Sequence, residues 1–421
     1  MRRPGRRDRH RPQRGPAAGG RREPPGGSGR DGAHRRRRAH PARGPGREGL
    51  AGARPRRRPW RPGRPGRGGR AVKGVVYTGP GRVEVDTALP EPRVRGPRDA
   101  VVRVTRAAIC GTDLHPYRGE IPGFAPGTVL GHEFAGTVVA AGREVPFAPG
   151  ERVFASDIVA CGRCARCARG WHYHCPEATL FGYSTVVGAA VAGGQAEYVR
   201  VPYADVVLAR TPDGVTDEQA LFAGDVLTTA YAAVADAQIR PGDTVGVVGA
   251  GPVGLLAGSC AAVAGASTVV VADPDAGRRE RARAAGLTAA APEDFAGVLA
   301  VAAEASGGMA IIEAVGSESA LRRALDSAGP RATVVTVGAH ASDALPFPAA
   351  RAFAGELTLR FTVGDPIRHR ERVLALMTGG RIDPSLVVSH RLPITEAAHG
   401  YRLFDQREAF KVVLVTDGTA D

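Results

Sequence analysis

Residues 244–254 read Thr-Val-Gly-Val-Val-Gly-Ala-Gly-Pro-Val-Gly, an apolar, β-branched run closing on Gly249, Gly251 and Gly254. A GxGxxG pattern carries meaning only where a strand feeds it and a helix leaves it. Here 244–248 has strand composition and 252–264 has the length and apolarity of a helix. Each glycine then has its own reason: Gly249 for a tight turn, Gly251 for close approach of a pyrophosphate, Gly254 for packing of helix on strand. The pyrophosphate would rest on the N–H groups at the helix N-terminus. Nineteen residues beyond Gly254, at the end of the next apolar run (268–272), stands Asp273. Its carboxylate is placed to accept hydrogen bonds from a ribose 2′-hydroxyl and to repel a 2′-phosphate, which favours NAD over NADP. Arg278 is either an adenosine or phosphate contact or a solvated helix charge.

Outward from this turn the alternation continues through 276–285, 310–313, 318–328 and 333–337. Residues 226–364 are therefore expected to form βαβ units on a doubly wound parallel sheet. Between Asp243 and Asp273 lie 29 residues without a charged side chain, long enough to cross a bilayer. Six glycines and a proline divide that stretch into strand, turn, helix and strand, so no membrane association is expected. Residues 71–225 differ: short valine-containing runs at 74–77, 82–85, 100–106, 136–140, 152–154 and 197–201 are broken by Gly and Pro and predict a mainly β domain. After 364 the sequence predicts one helix, 366–378, and a closing strand, 411–415.

Charge is distributed unevenly over the 421 residues. The formal charge is +15, yet residues 1–70 hold 24 Arg against four acidic residues, a net +20, with 16 Gly and 11 Pro. The remaining 351 residues carry 33 basic and 38 acidic side chains, a net −5. The first 70 residues contain almost nothing to bury and are expected to be a disordered basic tail. Two origins stay open for it: an arginine-rich arm binding nucleic acid through phosphates, or upstream GC-rich DNA translated from a start placed too early, the native start then lying near Val72. Arg2-Arg3 is not followed by an apolar stretch, which argues against a secretion signal.

Five of the six cysteines fall in two groups. Cys161, Cys164, Cys167 and Cys175 offer four thiolates within fifteen residues, the donor set of a closed structural Zn²⁺ site. His172 and His174, inside that loop, are read as bystanders, and Cys260 as a core residue of the 252–264 helix. Unpaired cysteines without a secretion signal suit a reducing, cytoplasmic compartment. The second group, Cys110-Gly111-Thr112-Asp113-Leu114-His115 and Gly131-His132-Glu133, supplies a thiolate and an imidazole and needs a third metal ligand from elsewhere.

With Gly193–Tyr198 (Gly-Gly-Gln-Ala-Glu-Tyr) and the glycine turn in the same order, the chain from 72 onward resembles the zinc-dependent medium-chain alcohol dehydrogenases, in particular the formaldehyde dehydrogenase-like and threonine dehydrogenase-like branch. The resemblance implies a GroES-like mainly β catalytic domain (71–225), a Rossmann NAD-binding domain (226–364) and a return of 365–421 to the catalytic domain. It implies a catalytic zinc on Cys110, His132 and Asp225; Asp225 also stands where a helix N-cap would. It gives Thr112 the role of hydrogen-bonding the substrate oxygen, His115 that of passing its proton to solvent, and Glu133 that of a carboxylate behind the metal. It places the nicotinamide near Thr229, Val315–Gly316 and Val337–Gly338. Zinc would lower the pKa of the alcohol as it lowers that of water, to about 7, and NAD would accept the hydride.

The function implied is oxidation of an alcohol with NAD to an aldehyde or ketone, with two zinc ions per subunit and a homo-oligomer formed by edge-strand pairing. Two other readings stand beside it: reduction of aldehydes or ketones as the working direction, and a non-catalytic zinc protein acting on nucleic acid through the basic tail.

Overall fold

The computed structural model describes residues 70–340 and 347–416, so the basic tail, apart from Arg70, lies outside the described residues. The described residues belong to one compact unit, 58–421.

Valine and alanine on both faces make β3 a central strand. The hairpin β1 (Ala71–Gly79) and β2 (Arg82–Pro90) leads to β3 (Ala100–Ile109), buried at every position but Arg103. Around it gather β4 (Glu133–Ala141) and β8 (Tyr198–Val201), with β5 (Arg152–Ala155) and β9 (Leu208–Arg210) beyond β4, all antiparallel. Between them β6 (Ile158–Val159) pairs β7 (Thr179–Leu180) and frames the cysteine loop. This is the mainly β domain that the valine spacing predicts.

The second sheet is parallel throughout. It is built from β10 (Thr244–Val248), β11 (Thr268–Ala272), β12 (Thr288–Ala290), β13 (Met309–Glu313), β14 (Thr333–Thr336) and β15 (Thr358–Phe361), in spatial order β12-β11-β10-β13-β14-β15. The order reverses between β10 and β13, which opens a crevice at the carboxyl ends of the strands. Gly249, Asp273, Val315 and Gly338 all follow those ends. The observed helices Pro252–Val263 and Pro366–Thr378 match the expected ones to within a residue.

Two strands close the chain. β16 (His390–Pro393) lies parallel to β17 (Val412–Val415), and β17 pairs antiparallel with β3, Val412 opposite Ile109. The last segment therefore completes the first sheet. Not anticipated were β16, the helix Ala397–Asp405 and the helix Phe295–Ala303. The last is almost uniformly apolar (FAGVLAVAA), so it lacks the polar–apolar contrast that reveals a helical period.

The helix Val226–Ala237 joins the two sheets. Its Val226, Leu227, Ala230 and Val234 share one buried cluster with Ala108, Cys110 and Phe154 of the first domain and Val245 and Val247 of the second. Burying each larger aliphatic side chain contributes about 1.5–3 kcal/mol, so this shared cluster stabilises the junction of the two sheets. Among the described residues no helix is long and apolar enough to cross a membrane.

Candidate active site

Cys110 follows β3 directly and is the N-cap of the helix Gly111–Tyr117. Its backbone N–H donates to Asp113 Oδ2 at 2.9 Å, which turns the thiol toward the seam. His132 precedes β4, and both ring nitrogens meet carboxylates: Nδ1 lies 3.4 Å from Asp113 Oδ1 and Nε2 lies 3.3 Å from Asp225 Oδ2. Asp225 Oδ2 is also 3.7 Å from Cys110 Sγ. Zn–S bonds of about 2.3 Å and Zn–N or Zn–O bonds of about 2.0–2.2 Å place tetrahedral donors about 3.3–3.7 Å apart. Both distances from Asp225 fall in that range, and Cys110 and His132 lie within 4.8 Å of each other.

Asp225 occupies the N-cap position of the helix Val226–Ala237, yet its side chain makes no capping hydrogen bond. Its φ and ψ of −153° and −91° turn the carboxylate back toward Cys110 and His132. The capping reading is thereby excluded. Burial alone would push the Asp225 carboxyl up; the hydrogen bond and charge of His132, with the charge of Lys411, outweigh it and hold the group at about 2.

Glu133 lies within the same cluster, all four donor atoms being within 4.8 Å of one another. Its carboxylate faces Lys411 Nζ at 2.5 Å, both residues buried. Burial pushes the Glu133 carboxyl up to about 7 even against that ammonium. The ring nitrogens of His132 and both oxygens of Glu133 are buried without a well-aligned hydrogen bond. A dry cluster of one thiol, one imidazole and carboxylates left in that condition has the donor chemistry of a zinc site with room for a further ligand.

The four-cysteine loop forms a second, closed cluster. Sulfur–sulfur and N–H···S contacts knit it together: Cys164 Sγ to Cys175 Sγ at 4.0 Å, and the backbone N–H groups of Cys161 and Glu177 to Cys175 Sγ at 3.4 Å. The Cys167 N–H beside Cys164 draws that thiol down to about 7. All six cysteines are free of disulfides. Cys260 is buried among aliphatic side chains, as expected. His172 stays outside the four-sulfur set, as expected; it is buried and holds Asp365 through its backbone N–H and Nδ1 at 3.0 and 2.9 Å.

At the glycine turn Gly249 has φ +99°, and a Cβ on Gly254 would stand 1.8 Å from the Gly249 carbonyl oxygen. A Cβ on Gly251 would meet no protein atom closer than 3.9 Å, so nothing in the protein itself demands glycine there. Asp273 accepts the Ala250 N–H at 2.8 Å and the Asp275 N–H at 2.9 Å, fixing the turn as well as facing it. Arg278 Nη1 lies 3.7 Å from Asp273 Oδ2, close to the glycine turn.

Across the crevice, Glu313 Oε1 accepts the N–H groups of Val315 and Gly316, each at 2.8 Å, and Oε2 accepts Thr336 Oγ1 at 2.6 Å. Gly338 packs directly on Gly316. Thr229 Oγ1 donates to Asp225 Oδ1 at 3.3 Å. Thr112 Oγ1 lies 3.8 Å from Cys110 Sγ. His115 sits at the surface side of its helix, Nδ1 2.6 Å from Glu120 Oε2.

Four contributors were not anticipated: Asp113, Gln195, Lys411 and Glu313. Gln195, fully buried, donates to Asp113 Oδ2 and Ala108 O and accepts from Tyr401. Lys411 did leave a signal, a single ammonium inside the apolar run Phe410–Val415.

The chain is similar to known proteins along most of its length. Residues 96–213 match the model of the alcohol dehydrogenase GroES-like domain, and residues 252–378 that of the zinc-binding dehydrogenases. A "Probable zinc-binding alcohol dehydrogenase" of Mycobacterium tuberculosis is 39% identical over 332 residues, 78% of this chain and 84% of the relative. The alcohol dehydrogenase of Thermus sp. ATN1 superposes with a TM-score of 0.78 at 40% identity, over 82% of this chain and 99% of its own. An Escherichia coli CFT073 enzyme described as a short chain alcohol dehydrogenase complexed with NADH superposes at 0.72 with 28% identity, over 83% and 100%.

Proposed function

From the membership of this chain in the zinc-dependent medium-chain alcohol dehydrogenase family, whose members transfer a hydride between an alcohol and NAD(H), we propose the roles of its individual residues. The observation that carries the assignment is Asp225: its carboxylate leaves the helix it could cap and joins Cys110 and His132.

Cys110, His132 and Asp225 would hold the catalytic zinc, and Cys161, Cys164, Cys167 and Cys175 the structural one. The catalytic metal supplies a Lewis acid that acidifies the alcohol, and the nicotinamide supplies the hydride acceptor. The protein does the rest by placement. Asp113, whose Oδ1 stands 3.4 Å from His132 Nδ1, favours a proton on that nitrogen by its charge and so leaves Nε2 to the metal. Lys411 neutralises Glu133, so the buried cluster does not accumulate uncompensated negative charge. Thr112, beside Cys110, is positioned to hydrogen-bond the substrate oxygen. His115, at the surface with Glu120, is positioned to release its proton to water. Glu313 fixes the backbone at Val315–Gly316 against which the nicotinamide would lie.

The formaldehyde dehydrogenase-like and threonine dehydrogenase-like branch fits an aspartate at position 225. NAD is the preferred cofactor on this reading, because a 2′-phosphate would meet the buried Asp273 carboxylate, with Arg278 the counterweight. Alcohol oxidation in a reducing, cytoplasmic compartment is consistent with six unpaired cysteines. β15 is an edge strand, and Phe353, Phe361 and Val363 around it are exposed at 89%, 61% and 58%. Apolar edge exposure of this kind supports a homo-oligomer; sedimentation as a monomer would contradict it.

A panel of primary and secondary alcohols with NAD and with NADP, read as reduced-cofactor absorbance, tests the function. Turnover is expected with NAD, at a kcat/KM about tenfold or more above that with NADP. Asp273→Ser is expected to narrow that ratio by raising NADP use. A wild-type preference for NADP would overturn the assignment to Asp273.

A further inference from the structure

The cysteine loop does more than close on itself. Between Cys167 and Cys175 a 3₁₀ turn, His172–His174, sends two side chains inward. Tyr173 donates its hydroxyl to Asp157 Oδ2, and the Asp157 backbone N–H donates to the carbonyl of Gly224 at 3.0 Å. Gly224 immediately precedes Asp225, and it packs so tightly on the end of β5 that a Cβ would stand 2.0 Å from Ala155 O. The position of Asp225, at φ and ψ that belong to neither helix nor strand, therefore depends on the segment that Asp157 holds.

His172 forms a second arm. It grips the Asp365 carboxylate, which also accepts the Arg368 N–H at 3.0 Å. Asp365 has φ +141°, a conformation that side-chain-bearing residues rarely adopt and that persists where the surroundings over-determine it. The adjoining Gly364 lies against Thr229, with room for no more than hydrogen: a Cβ there would be 2.8 Å from Thr229 Oγ1, the hydroxyl that donates to Asp225 Oδ1. Both arms thus start in one turn of the cysteine loop; one ends on the Gly224 carbonyl just before Asp225 and the other beside the Thr229 hydroxyl that donates to the Asp225 carboxylate.

We propose that Tyr173 and His172 are positioning residues for the catalytic metal centre, through which the cysteine loop braces Asp225 from two sides. A loop serving only general stability would have no need to direct two polar, buried contacts at the approaches to a single side chain. The proposal rests on Asp225 being a metal ligand. The structural zinc site, remote in sequence from the chemistry, then sets how firmly the catalytic zinc is held.

Zinc release from the full-length chain to a chromogenic chelator is the test. Two phases are expected, and Asp225→Ala should remove the faster one, which assigns that phase to the catalytic site. Tyr173→Phe keeps the ring and removes only the hydroxyl. It is expected to accelerate the fast phase by about tenfold, the lower range for outer partners of metal ligands, with the slow phase unchanged. His172→Ala should do the same through the other arm, and His172→Asn, which retains a donor near the Nδ1 position, should restore the wild-type rate. The proposal is overturned if both Tyr173→Phe and His172→Ala release the fast zinc at the wild-type rate, or if they accelerate both phases equally. If instead Asp225→Ala keeps both phases, the ligand assignment itself fails, a result separable from failure of the brace.

Discussion

Replacing Asp225 by alanine is expected to lower kcat/KM about a thousandfold while leaving the fold intact. Lewis-acid assistance is worth several kcal/mol, and each factor of ten in rate corresponds to about 1.4 kcal/mol. Without Asp225 the cluster retains Cys110 and His132 as donors, within 4.8 Å of each other. Glu133, the remaining carboxylate, is engaged by Lys411 at 2.5 Å. Helix stability should hardly change, because the side chain makes no capping bond to lose. A residue acting only as an N-cap would behave in the opposite way, costing about 1 kcal/mol of stability and no zinc. Steady-state kinetics with a thermal melt separate the two outcomes.

The second large effect is expected at Gly254. A methyl group there would lie 1.8 Å from the Gly249 carbonyl oxygen and 2.9 Å from its carbon. Both are backbone atoms of the turn, so relief requires moving the turn, and with it the Ala250 N–H that Asp273 holds. Overpacking costs about 1–3 kcal/mol where side chains can shift, and more where they cannot. Gly254→Ala should therefore lower the melting temperature and weaken NADH binding by about a hundredfold, measured by quenching or enhancement of NADH fluorescence. Gly251→Ala is the informative contrast. With no protein atom within 3.9 Å of its added methyl, stability should be retained while NADH affinity falls, because that space is needed by the cofactor and not by the fold. Equal losses of stability in the two variants would count against this division of roles.

The features legible in the sequence are those whose parts are close along the chain. The turn Gly249–Gly254 is flanked by its own strand and helix, and the four cysteines lie within fifteen residues, so local spacing already carries the chemistry. Asp225 is a harder case, since the same residue type at the same place suits a cap or a ligand. What tells them apart is tertiary: the carboxylate makes no capping hydrogen bond and instead lies 3.7 Å from Cys110 Sγ and 3.3 Å from His132 Nε2. Lys411 with Glu133, and His172 with Asp365 across 193 residues, are polar pairs made by tertiary approach. Such pairs leave no periodicity, and His172 in particular reads only as a bystander to the cysteines until Asp365 is folded against it. The valine-containing run 100–106 gave β3 away, whereas β16, short and half-exposed, was set by its pairing with β17 and not by its own composition.

The most direct test of the central claim is the zinc content of the folded wild-type chain beside that of Asp225→Ala. Two zinc ions per chain are expected in the wild type, one in each cluster, and one in the variant, retained by Cys161, Cys164, Cys167 and Cys175. A folded wild-type protein holding one zinc or none, or a variant that keeps two, would contradict the assignment of Cys110, His132 and Asp225 as a catalytic metal site.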